Sequence, residues 1–247
     1  GVGRKGMNLI VDIGNTSIKV AQFEKGNCRD IKRFKDQRLF LQYVSSISAN
    51  NAIISSVRSD SFTDEVVNLF LEPLLLTVNT DLPIINSYKT PETLGNDRIA
   101  NAVGAFNALP NQNTLTIDAG TCLKFDFIDA SNNYLGGSIS PGLKMRFKAL
   151  HTLTDNLPLI DEIEINQLIG TDTTSSIQVG VYQGVIAEIS NMISQYERKY
   201  DNLNIILTGG DLSSFLGIEL SQKNSIFADE FHTLKGLNTI LNYNVRK

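Results

Sequence analysis

The sequence predicts an α/β protein in which one plan is used twice, with a cleft between the halves. Two observations predict it. The stretch "NLIVDIGNTSIKVAQF", Asn8 to Phe23, is echoed in the second half of the chain by "TLTIDAGTCLKFDF", Thr114 to Phe127. Each runs an apolar strand through Asp, Gly and Thr and back into an apolar strand, and each is followed by a third strand and then alternating helices and strands. With 247 residues, 42% of them hydrophobic, the chain can bury two cores of ordinary domain size. The halves expected are 7–112 and 113–247. "GVGRKG", residues 1–6, lacks an apolar signal-peptide core and reads as an expression scar.

In the first half "NLIVDI", "SIKVAQF" and "CRDIKRF" read as strands, with turns at Gly14/Asn15 and Gly26/Asn27, residue types that tolerate positive φ. A helix from Gln37 to Ser48, the buried strand "NAIISSV" and the amphipathic helix "SFTDEVVNLFLEPLL" follow. "PIINSY" then leads into the loop "KTPETLGNDR", and the small-residue helix "IANAVGAFNAL" ends at Pro110. The second half repeats three strands, "TLTIDAG", "CLKFDFID" and "NYLGGSISPG", turning at Gly120 and Asn132/Asn133. Next come a helix from Leu143 to Leu153 and a long helix from Ser175 to Lys199, with Ile177, Val181, Val185, Ile189 and Ile193 on one stripe. That stripe, with Gly180 and Gly184 spaced for close helix approach, is expected to pair two chains about a two-fold axis, the plainer alternative being that it packs wholly within its own domain. "NIILTGGD" is a strand ending in a glycine pair, and "FHTLKGLNTILNY" is a closing helix.

Composition narrows the functions. A net charge of −4, with 19% charged residues and no Lys/Arg run, points away from a nucleic-acid surface. No apolar run approaches the length of a membrane span. Two cysteines, Cys28 and Cys122, make no disulfide framework, and the chain reads as cytoplasmic. Cys122 is expected to be a small packing residue, and His232 to lie on a helix surface.

The repeated hairpin tips suit a polyphosphate. A glycine turn lets backbone N–H groups approach an oxyanion, Asn15 and Thr16 add neutral donors, and Asp12 can hold a hydrated metal ion. Gly120 and Thr121 repeat the offer, with Asp118 as a second carboxylate for a cation. Gly209 and Gly210 leave room for a base or ribose at the end of a strand. A lone D-x-G-x-T hairpin is more often an Asx-stabilised turn; two copies at matching places, with a third glycine turn, favour nucleotide binding.

The arrangement resembles the tandem phosphate clamp of the actin, heat-shock chaperone and sugar-kinase superfamily, whose halves are ribonuclease H-like (actin-like ATPase) domains. The likeness sharpens in "TLGNDRIANAVGA", "IDAGTC", "YLGGSISPGL", "LIGTDTTSSIQVGVYQG" and "IILTGGD". In order and spacing, from Met7 almost to the C-terminus, these are similar to the motifs of type III pantothenate kinases. The resemblance implies ATP-dependent phosphorylation of pantothenate, Mg²⁺ with the nucleotide, a monovalent cation (potassium or ammonium) near Asp118, and a homodimer.

Carried over residue by residue, the resemblance makes Asp97 the base that takes the proton of the attacking hydroxyl. Arg98 would hold the substrate's polar end. Gly95 and Asn96 would let the loop pass close, Tyr88 would pack on the apolar gem-dimethyl part, and Thr173, across the dimer, and His151 would also contact substrate. Thr121 and the run Asp12, Ile13, Gly14, Asn15, Thr16, Ser17, Ile18 and Lys19 would hold ATP. From the residues alone, Asp97 and Arg98 also fit an ion pair capping a helix that starts at Ile99, Tyr88 an aromatic anchor, and Thr173 an N-cap. One departure stands out. Where the family commonly has a small hydroxyl residue, this chain has Lys124; its ammonium is expected in solvent, and if it points inward the nucleotide affinity or the potassium requirement that the resemblance implies comes into doubt. A kinase of another small alcohol or sugar, and a nonenzymatic ATP-binding regulator, are the other functional readings.

Overall fold

A strand with neighbours on both sides and cover on both faces reads as a near-continuous apolar run, and β1 (Met7–Ile13), apolar but for Asn8 and Asp12, is such a strand. It pairs antiparallel with β2 (Ile18–Glu24) and parallel with β4 (Asn51–Ser56). The computed structural model describes residues 6–15, 17–58, 60–163, 165 and 167–246. Thr16, expected at the first tip, and residues 1–5 of the expected scar lie outside the described residues. The chain forms two units: 1–110 with 132–135 and 231–247, and 111–131 with 136–230.

The first unit carries a sheet of order β3-β2-β1-β4-β5, with β3 (Asn27–Phe34) and β5 (Leu74–Leu75) at its edges. Helices α1 (Gln37–Ser45) and α2 (Ser61–Val67) set Phe40, Val44, Phe62 and Val66 against Leu9, Val11, Ile13, Val20 and Ile54. Asp36 and Asp60 cap these helices by accepting from Arg38 N and Thr63 N. The second helix is far shorter than the expected run to Leu75. It stops at Val67, where the Asn68 N–H closes on Asp64 O and Val66 O; Pro73, with no N–H, keeps the apolar run that follows from resuming a helix, Glu72 takes a φ of 49°, and Leu74–Leu75 become a strand.

β6 (Ile85–Asn86) pairs in parallel with Asn133 and Tyr134 at the start of β9 (Asn133–Pro141). Helix α3 (Asn96–Ala108) begins three residues before the expected Ile99, so Asp97 and Arg98 sit in its first turn. Against it packs α6 (His232–Val245), whose residues belong to the first unit rather than to the expected second half. Small residues explain the placement. A Cβ at Gly236 would stand 1.9 Å from Ala100 O, and one at Gly104 2.9 Å from His232 Cε1, so larger side chains would hold the helices apart. His232 is therefore no surface residue: it is 2% exposed, with Nε2 2.9 Å from Asn101 O.

The second unit repeats the order as β9-β8-β7-β10-β11, with β7 (Thr114–Ala119), β8 (Cys122–Ile128), β10 (Asn204–Thr208) and β11 (Ile226–Ala228). β7 is antiparallel to β8, and β10 is parallel to both β7 and β11, which matches the pairing around β1. Helices α4 (Leu143–Thr152) and α5 (Thr173–Lys199) cover it. The stripe from Ile177 to Ile193 is buried in this unit's own core with Leu115, Ile117, Phe125 and Ile205, which corrects the expectation that it pairs two chains. Gly180 and Gly184 point elsewhere, with nothing within 4 Å of an added Cβ.

Candidate active site

The first hairpin tip closes when Gly14 N–H donates to Ser17 O at 2.9 Å; an added Cβ on Gly14 would stand 2.9 Å from the same oxygen. The Gly14 donor is thus spent on the turn. Ile13 and Ile18 are core residues, which limits any ligand contact they make to their backbone. Asp12 is half-buried at the end of β1 and lies opposite Lys19 in the antiparallel ladder.

The start of α3 is the more elaborate part of this unit. Gly95 is the N-cap residue, and a Cβ there would stand 2.8 Å from Asp97 Oδ1. That same Oδ1 accepts from Arg98 N at 2.9 Å, which fixes the carboxylate's rotamer. Asn96 Nδ2 reaches Ser56 O and Leu76 O, both at 3.4 Å, and ties the turn to the C-terminal ends of two parallel strands. Ligands bind at such strand ends in open α/β sheets. Arg98 is 4% exposed; its guanidinium lies 5.4 Å from the centre of the Tyr88 ring, which itself stacks on buried Tyr134. Beside Ser56 and Leu76 a cavity of about 350 Å³ is lined also by Arg58, Asp60 and Thr63. The sequence offered one signal for Arg58, its place just past the parallel strand "NAIISSV"; in the structure it is paired with Asp60.

In the second unit Gly120 N–H closes its tip on Cys122 O at 3.1 Å around Thr121, which is exposed. The backbone behind the tip is packed so closely that only glycine fits. A Cβ at Gly142 would stand 2.2 Å from Gly120 O, and one at Gly209, whose φ is +106°, 2.4 Å from Ala119 O. These contacts account for the "SPG" and "TGG" stretches. The bare Cα of Gly209 makes room for a backbone carbonyl, whereas that of Gly210 faces open space. Asp211, which sequence reasoning passed over, donates its N–H to Ala119 O, and burial pushes its carboxyl up against the opposing pull of Lys144.

Lys124 does not extend into solvent. It lies opposite Asp118 in the β7–β8 ladder, with Nζ 3.7 Å from Asp118 Oδ2 and side-chain exposures of 16% and 11%. His151, in the last turn of α4, is exposed and has Nδ1 2.7 Å from Leu157 O. A carbonyl only accepts, so Nδ1 carries the proton and Nε2 faces outward as an acceptor when the ring is neutral. Thr173 is exposed at the first position of α5 but is not its cap. Asp172 caps the helix in a box with Ser175, whose backbone N–H holds the Asp172 carboxyl below the usual range. The structure thus gathers Tyr88, Gly95, Asn96, Asp97 and Arg98 in the first unit, and Asp118, Gly120, Thr121, Gly209 and Gly210 in the second.

Among the described residues no three or more His, Cys, Asp or Glu side chains form a metal cage. Mg²⁺ keeps several waters and takes one or two carboxylates along with substrate phosphates, a place that the Asp12 carboxylate could fill. A monovalent cation at Asp118 does not fit, because that carboxylate already faces an ammonium.

Residues 8–195 match the family model for type III pantothenate kinase. Similar proteins include the type III pantothenate kinase of Bacteroides fragilis, 43% identical over 96% of this chain and 98% of that protein. Another is that of Christiangramia forsetii, 43% identical over 96% of this chain and 99% of that protein. Among solved structures, a ROK family glucokinase from Streptomyces griseus, in complex with glucose and AMPPNP, superposes with a TM-score of 0.55 at 12% identity, covering 98% of this chain and 100% of that one. Component A of (R)-2-hydroxyglutaryl-CoA dehydratase from Acidaminococcus fermentans does so with a TM-score of 0.55 at 11% identity, covering 96% of each chain. At these identities the structural likeness shows the fold alone, an α/β pair of ribonuclease H-like domains.

Proposed function

The chain belongs to the type III pantothenate kinase family, and on that premise we propose how its residues carry out the ATP-dependent phosphorylation of pantothenate to 4′-phosphopantothenate, the first step of coenzyme A biosynthesis. The observation that carries this reading is the first turn of α3, where Gly95 lacks a side chain because Asp97 needs the space, and Asn96 pins the turn to two strand ends. Asp97 takes the proton of the pantothenate hydroxyl while that oxygen bonds to the γ-phosphorus. The bond from the γ-phosphorus to the β–γ bridging oxygen breaks, and ADP leaves. Such a transfer asks the protein chiefly for position, which the bond from Arg98 N to Asp97 supplies. Arg98 holds the pantothenate carboxylate through its planar fork of donors, and Tyr88 packs on the gem-dimethyl group. Thr173 and His151 are further substrate contacts.

Asn15, Ser17 and Thr121 donate to nucleotide phosphates, Lys19 adds positive charge, and the open side of Gly210 leaves room for the base or ribose. Asp12 would hold the Mg²⁺ that accompanies ATP, or its waters, and the ion would supply positive charge to the transferring phosphate. No helix among the described residues is long and apolar enough to cross a membrane; a cytoplasmic location is part of this reading. So is a homodimer, for which the open Gly180 and Gly184 of α5 are the support. A phosphoryl-transfer assay with pantothenate beside a panel of sugars tests the assignment: transfer to pantothenate alone is expected, and transfer to a sugar in its place would move the chain to the other kinase class.

A further inference from the structure

The regular geometry of a hairpin ladder makes one departure of this chain informative, the lysine opposite Asp118. We propose that the ε-ammonium of Lys124 stands where a bound monovalent cation would otherwise neutralise Asp118, so that this chain works without potassium or ammonium. This rests on the kinase reading for the identity of the nucleotide, while the geometry lies wholly within the second unit.

Asp118 and Lys124 are direct cross-strand partners, and Lys124 reaches the carboxylate from the strand that leaves the tip. At 3.7 Å the contact is an ion pair rather than a hydrogen bond. With side-chain exposures of 11% and 16%, the pair is largely withdrawn from water, where salt screens it little. A second cation on the same carboxylate would sit a few ångströms from an ammonium of like charge, and in a poorly solvated site that repulsion opposes its binding. The lysine supplies the same unit charge from a tether, with no loss of translational freedom on capture. It also places N–H donors beside the tip that carries Thr121.

The test uses the full chain, exchanged into a choline buffer with Mg²⁺ and free of potassium and ammonium, beside the same buffer with potassium. Two quantities are read: transfer from ATP to pantothenate, and calorimetric affinity for a nonhydrolysable ATP analogue. The unaltered chain should agree between the two salts to within about twofold, whereas Lys124→Ser should lose about tenfold or more of both in choline and regain them in potassium. Lys124→Gln repeats the test where the serine variant is poorly folded, and the two-salt comparison of the unaltered chain stands by itself if neither folds. A chain activated or tightened tenfold by potassium would overturn the proposal. So would Lys124 variants indifferent to salt, whether they keep full affinity in choline or lose it equally in both. Nucleotide binding without transfer to pantothenate in either salt would defeat the kinase reading, with the affinity comparison still deciding the role of Lys124. No nucleotide binding in either salt would overturn both.

Discussion

The two units share their sheet and differ in the helices and glycine contacts added to it. In each, a central strand runs into Asp, turns at a glycine, and returns with a lysine opposite the Asp, in sheets of the same strand order. The tip between Gly14 and Ser17 is longer than that between Gly120 and Cys122. Beyond the sheet, the first unit adds α3 and α6, whose small residues let backbones touch, and the α3 start carries Asp97 and Arg98. The second unit adds the long α5 and backs its tip with Gly142 and Gly209. On the kinase reading, the repeated part serves phosphate, which any kinase must hold. The divergent part of the first unit serves the acceptor, and that of the second serves the nucleotide at Gly210 and the acceptor at Thr173 and His151.

The contrast is most exposed at Asp97. Asp97→Asn should lower kcat by about 10²–10⁴, the usual worth of a positioned base, and steady-state kinetics would show it. Near-normal turnover would leave α3 with a structural role only. Next come glycines of the two units' helices. Gly236→Ala would gain about 0.5–1 kcal/mol in helix propensity, but its methyl would enter Ala100 O, and overpacking of this kind costs about 1–3 kcal/mol or more. Net destabilisation in a denaturant melt is therefore expected. Gly180→Ala meets open space within its own chain, so a loss of stability is expected only from the second copy that the homodimer reading seats on that face; the bare propensity gain would leave the face uncovered and count against that dimer. The smallest effect is at Asp211. Its folded carboxyl is raised by burial, so the ionised form is disfavoured in the native state and stability is lost as pH rises from the ordinary carboxylate value through that raised one. Asp211→Asn should raise Tm slightly at neutral pH, and the gain should vanish as pH falls below the ordinary carboxylate range. A gain that persisted in acid would have another cause.

Much of this was legible in the sequence because the signals were local. The hairpins, the glycine turns and the loop "GNDR" need only neighbouring residues to be read, and the five-residue stripe of α5 announced a buried face. What it faced was not local: the stripe packs on its own sheet, which periodicity cannot distinguish from a partner chain. The same limit hid His232, polar in sequence yet buried against Asn101 because α6 returns to α3. The apolar run to Leu75 suggested a longer helix than the one that stops at Val67, and Pro73 was a legible sign that the run could not be one helix. Lys124 was recognised as unusual, but only the cross-strand register turns it toward Asp118. Likewise "SPG" could be matched as a motif, whereas its cause, the 2.2 Å approach that a Cβ on Gly142 would make to Gly120 O, exists only in the folded chain.

The division of labour between acceptor and nucleotide sites is tested most directly by titrating a nonhydrolysable ATP analogue into two folded variants, Asp97→Asn and Gly142→Ala, with the unaltered chain alongside. Asp97 touches the acceptor hydroxyl in this account, so its variant should bind the analogue as tightly as the unaltered chain does. The added methyl on Gly142 would push the second hairpin tip out of place, so that variant should bind the analogue weakly or not at all. Equal loss of affinity in both variants would contradict the account, because it would put Asp97 on the nucleotide rather than on the hydroxyl it is proposed to deprotonate.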